Sequence, residues 1–136
     1  MTDTQPPAVR IHPDGTVTLL ADASYETICD GVGGWIEAAP TDGRIVIWVN
    51  EEGKIKDLAF NPLGQRLWAA VDSYGCIADG DWLAGPCVIT GPSDTDGGHT
   101  PVPAWVLPTL QLLAATTDNR PAPATDPAAN SEGEPT

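Results

Sequence analysis

The run GWIEAAPTDGRIVIWVN, residues 34–50, limits what this chain can fold into more than any other stretch. Asp42-Gly43 stands between two runs of strand formers, so their antiparallel pairing is local and its loop-closure cost small. In the second run Ile45, Ile47 and Val49 share one face, while Val46 and Trp48 make the other face apolar too. A strand apolar on both sides needs cover on both, which places it centrally in a sheet or at an interface.

The flanking segments supply the rest of a sheet. AVRIHPDGTVTLL reads as another hairpin, with Pro13-Asp14-Gly15 as turn chemistry and with Val9/Ile11 and Val17/Leu19 each sharing a face. Tyr25, Ile28, Cys29 and Val32 fall at i, i+3, i+4 and i+7, one stripe of a short helix that Asp22 or Ser24 starts and Gly33 stops. Asn61-Pro62 starts a further helix, because asparagine caps the free amides and proline at the first position forfeits no bond. Its predicted buried stripe is Leu63, Leu67, Ala70, Val71 and Tyr74, ending before Gly75. CIADGDWLAGPCVITG predicts one or two short strands with Val88 and Ile89 in the core. VLPTLQLLAA predicts a closing helix begun at Pro108, with Leu110, Leu113 and Ala114 turned inward.

The expected architecture is an α+β domain. A small, mainly antiparallel sheet of four to five strands, in β-β-α-β-β-α-β order, packs one face on two short helices and is closed by residues 101–115. Residues 1–7 read as a flexible arm and residues 8–115 as the domain, which includes a proline- and glycine-rich loop at 91–104. Residues 116–136 are proline- and alanine-rich, acidic and poor in bulky apolar side chains, so they are expected to be disordered.

Charge narrows the function. The formal net charge is −13, and only six residues are Lys or Arg. Phosphate backbones are bound by clustered cations, so direct nucleic-acid binding is not expected. An acidic surface repels nucleic acid and membranes and draws in basic partners. No run is apolar enough to span a bilayer, MTDTQPPAVR lacks the apolar core of a signal peptide, and three scattered cysteines suit reduced thiols. The cytoplasm is the compartment expected.

No reaction is written in the motifs. Glu51 and Glu52 are adjacent, so on a strand end they point apart, and Asn50-Glu51-Glu52-Gly53 is ordinary turn composition. An EF-hand counted from Asp94 would put a glutamate where Trp105 stands. Cys29, Cys76, Cys87 and His99 lack the close pairing of structural zinc ligands. Ser93 has no G-x-S-x-G context, and GVGG is no phosphate loop. The chain is read as non-enzymatic, with no metal and no cofactor.

Five tryptophans are many for a small core. Indoles left at the surface beside carboxylates anchor protein partners, so Trp48 and Trp82 are singled out. With Asn50, Glu51, Glu52 and Lys54 they form the candidate interaction surface, on a stretch that is first of all a connector between a strand and a helix.

VGGWIE, IVIWVNEEGKIKDLAFNP, the leucine-bearing helix and GDWLAGPCVITG together resemble the DUF3846 family over residues 9–91. The proline-rich end and the tail fall outside that resemblance. It implies a small domain of actinobacteria and of their phages and plasmids, and carries no activity with it. The function expected is an acidic interaction protein that binds a host protein with a basic surface, in an anti-defence or regulatory role. Two alternatives stand beside it. One is a DNA mimic that blocks a restriction or nuclease system. The other is a small-molecule or nucleotide binder, with Lys54 and the helix start at Asn61 holding an anion.

Overall fold

The computed structural model describes residues 5–117. Five strands and three helices follow in the order β1 (Ala8–Ile11), β2 (Val17–Leu20), α1 (Tyr25–Val32), β3 (Ile36–Ala39), β4 (Val46–Asn50), α2 (Pro62–Val71), β5 (Cys87–Thr90) and α3 (Val106–Thr117). All pairings are antiparallel, and the sheet runs β2-β1-β5-β4-β3. Each hairpin offers one free edge, and β5 fills the gap between them, pairing Val9 with Ile89 and Ile47 with Ile89. That central place explains its sequence, since every residue of CVIT is buried.

Helices cover both faces of the sheet, which corrects the expectation of one packed face. On one side α2 and α3 close a core of Val9, Ile11, Ile45, Ile47, Ile89, Leu67 and Trp68, joined by Val106 and Leu110. On the other, Ile28 and Val32 of α1 meet Ala8 and Val88. The two-sided apolarity of β4 is the sequence counterpart of this arrangement. α1 lies close because residue 31 is glycine, where a Cβ would stand 2.6 Å from Val88 Cγ2. The buried stripe of α1 is therefore Ile28, Gly31 and Val32, while Tyr25 is 57% exposed.

α2 ends at Val71, earlier than its periodicity predicts, and Ala70 and Tyr74 are exposed. The Asp72 carboxylate is the cause: it accepts from the backbone amides of Tyr74, Cys76 and Ile77 and draws the chain into a turn. The last carbonyls of α2 are taken up by the β3–β4 loop. Arg44 donates to Ala70 O at 2.8 Å and the Asp42 amide to Val71 O at 2.8 Å. Arg44 also lies over the Trp105 ring, 5.2 Å from its centroid. α3 begins at Val106 rather than Pro108, which sits in the first turn where its missing amide costs no helix bond. Near the start of the chain the Val102 amide donates to Pro6 O, so Pro6 is held against the domain rather than lying in a free arm. The expected disorder of the tail falls almost wholly outside the described residues.

Side-chain carboxylates hold most of the turns. Asp14, Asp22, Asp42 and Asp72 accept from nearby backbone amides, and each has its pKa held below the ordinary 3.8, first by the Thr16 and Thr27 side chains for Asp14 and Asp22, and first by the Arg44 and Ile77 amides for Asp42 and Asp72. A carboxyl with a depressed folded-state pKa contributes stability that is complete above its unfolded value and fades as pH falls through the folded one. The urea midpoint is expected to stay flat above about pH 5 and to fall below about pH 4. Asp72→Asn is expected to flatten that fall. A midpoint that drops equally in the variant would show that the Asp72 turn does not contribute.

Candidate functional site

β4 ends at Asn50, which turns inward. Its amide donates to Val32 O at 3.2 Å and its oxygen accepts from the Glu52 amide at 2.8 Å, tying α1 to the chain leaving the strand. Residues 51–58 then wind tightly. Gly53 donates to Asn50 O, Lys56 to Glu52 O and Leu58 to Gly53 O. Residue 53 must be small, because a Cβ there would lie 2.9 Å from Ala84 O.

This winding aims Lys54 across at the loop before β5. Its ammonium pairs with the Asp81 carboxylate and stands over the Trp82 ring, 5.3 Å from the centroid. α2 fixes that loop through Gln65, which donates to Asp81 O at 3.2 Å and accepts from the Leu83 amide at 2.9 Å. Between the loop and the sheet edge lies a cleft of about 130 Å³. Glu37 and Val49, cross-strand partners on one face, form one wall, and Glu51, Lys54, Asp81 and Trp82 are among the other lining residues.

A second, more open groove lies at the N-terminal end of the same edge. Tyr25, Glu26, Cys29 and Asp30 of α1 line it with Gly33, Gly34 and Trp35. Trp35 is 65% exposed. The Tyr25 hydroxyl is pushed up by its hydrogen bond with the Cys29 side chain, then by burial, and further by the Cys29 and Glu51 charges. The Glu51 amide donates to Trp35 O at 2.9 Å. Glu51 thus stands between the two hollows, lining one and felt by the tyrosine of the other.

Of the residues singled out in the sequence, Asn50, Glu51, Lys54 and Trp82 line the cleft. Asn50 is buried and structural, because both ends of its amide are used within the fold. Glu52 is exposed and pairs with Lys56 at 3.3 Å. Trp48 is not part of this surface. It projects from the opposite face of β4, half-buried, with its indole N–H on Thr90 Oγ1 at 3.1 Å and its ring edge-on to His99. Glu37, Asp81, Tyr25 and Trp35 also line the two hollows and are not among the candidates that the sequence singles out. Only Trp35 carried a signal, an indole directly after two glycines.

The start of α2 offers no anion seat. Asn61 is fully buried and its side chain accepts from the Gly64 amide at 2.9 Å, so the helix end is capped from within. Lys54, the proposed counter-charge, is taken by Asp81. Among the described residues no group of three or more His, Cys, Asp or Glu side chains is placed to hold a metal ion. Nor is any helix among them long and apolar enough to cross a membrane.

Neither the curated proteins nor the solved structures give a match. The model of the family described as a domain of unknown function, DUF3846, matches residues 4–111. That span runs beyond residue 91 through the proline-rich loop and into the first half of α3, so these lie within the family pattern and not outside it. The chain belongs to the DUF3846 family.

Proposed function

We propose that the protein is a non-enzymatic binding protein whose acidic, aromatic rim around β3 takes a basic segment of a partner protein. The observation that carries this reading is the make-up of the rim. Tyr25, Trp35 and Trp82 are interleaved with Glu26, Asp30, Glu37 and Glu51, and the only cation lining either hollow, Lys54, already pairs with Asp81. Carboxylates attract an ammonium or guanidinium at range, and aromatic faces hold it at contact. Lys54 over Trp82 is an instance of that contact within the chain. The partner proposed is a host protein in the cytoplasm, and the phage and plasmid setting implied by the family resemblance gives its capture an anti-defence or regulatory purpose.

The DNA-mimic reading has less behind it. Asp14, Asp22, Asp42, Asp72 and Asp94 turn oxygens toward backbone amides of their own loops. A phosphate mimic needs its carboxylates presented outward in a row.

The test uses the full chain and its Glu37→Lys/Glu51→Lys variant as baits in host lysate. A basic protein retained by the native bait at low salt, released at high salt and lost with the variant is the expected result. Identical recoveries from both baits would overturn the proposal.

A further inference from the structure

We infer that the partner's basic segment binds as an added β-strand on β3, its side chains alternating between the two hollows; this rests on the function just proposed. β3 is an edge strand, hydrogen-bonded to β4 alone, and an edge leaves an outer row of backbone donors and acceptors. Side chains of an added strand point alternately to the two faces of the sheet. On one face they meet Glu37, Glu51 and Trp82, and toward α1 they meet Glu26, Asp30 and Trp35. Backbone pairing supplies grip without regard to side chain, and the flanking hollows supply the choice of residue.

Charge selects the occupant. A second copy of this chain would bring the same carboxylates against themselves. Residues 118–136 carry four acids and one arginine, so this stretch of the chain is repelled as well. The other edge strand, β2, has no charged residue in VTLL, and the acids on either side of it, Asp14 and Asp22, turn oxygens to amides of their own loops, so a cationic strand is directed to β3. The rival account is that Glu37, exposed on an edge strand, merely discourages edge-to-edge association.

The probe is a synthetic peptide of about ten residues, Lys-Lys-Thr-Thr repeated so that lysines fall on both faces. A further version carries N-methyl groups on every backbone amide, so that neither edge can pair, and an Asp-for-Lys version controls for charge. Binding to the full chain is followed by amide NMR. The lysine peptide is expected to shift the amides of Ile36–Ala39, and the N-methylated version to bind about tenfold more weakly. The aspartate peptide is expected to leave β3 unmoved. Equal binding by the native and methylated lysine peptides would overturn strand addition while leaving the acidic rim intact. Lysine peptides that leave β3 unshifted would also overturn it and give Glu37 the guarding role. The lysate result with Glu37→Lys/Glu51→Lys is independent of backbone methylation, so failure of the binding mode and failure of the partner class read differently.

Discussion

Replacing Asn61 with alanine is expected to lower the stability of this domain by about 3–5 kcal/mol, which for its size is on the order of 15 °C in melting temperature. Asn61 has no exposed surface, yet its side chain is used at both ends. Oδ1 accepts from the Gly64 amide at 2.9 Å and caps α2, while Nδ2 donates to Ile11 O and Gly85 O, each at 2.9 Å. One amide thus joins the end of β1, the start of α2 and the approach to β5, segments far apart in sequence. Alanine strands two carbonyls and one amide in the interior, and each buried group left unpaired costs about 1–3 kcal/mol. Asn61→Ser separates the contributions, because a hydroxyl keeps the cap but cannot reach both carbonyls. It is expected to regain about 1 kcal/mol of the loss. Urea melts of the two variants decide the matter. Equal losses would mean that the cap contributes nothing, and a loss under about 1 kcal/mol in Asn61→Ala would mean that the buried amide is not a joint at all.

How much of this was legible in the sequence follows from where each instruction resides. The start of α2 could be read because Asn61 and Pro62 act on their own neighbours. Its end could not, because the Asp72 carboxylate outweighs an apolar period that continues to Tyr74. The α+β class and the hairpins were legible for the same local reason. The insertion of β5 between them was not, since CVIT declares burial on both sides without naming its neighbours. A helix on each face is latent in the two-sided apolarity of β4, but the sequence leaves open whether helix or interface covers the second face. The cleft was half visible: Glu51 and Lys54 lie in one polar run, and Trp82 stood out as an indole among glycines. Glu37 and Asp81 join them only through the β3–β4 register and the bonds of Gln65. Trp48 misled because alternation gives a residue's face and says nothing of what the 91–100 loop lays over it.

The tryptophans divide the labour of holding the fold from that of meeting a partner, and truncating them one at a time exposes the division. Trp68 is 1% exposed and its indole N–H donates to Pro40 O at 2.8 Å, so it fills the core between α2 and the sheet while bracing the β3–β4 loop. Trp68→Ala is expected to cost about 3–5 kcal/mol, since a cavity and a stranded carbonyl are left together. Trp48→Ala removes a half-buried ring and the bond to Thr90, and is expected to cost about 1–3 kcal/mol. Trp35, mostly exposed at the entrance to β3, is expected to change stability by less than about 0.5 kcal/mol. Its loss should appear instead in binding, where an aromatic seat at the rim is removed from a basic ligand and affinity falls roughly tenfold. Urea denaturation of the three variants, set beside lysine-peptide titrations of Trp35→Ala, gives the full ordering. If Trp35→Ala unfolds as readily as Trp68→Ala, the rim is part of the core and an exposed indole is no sign of a partner. If Trp35→Ala is as stable as the native chain and binds the peptide equally well, the rim has no aromatic seat and charge alone draws the ligand.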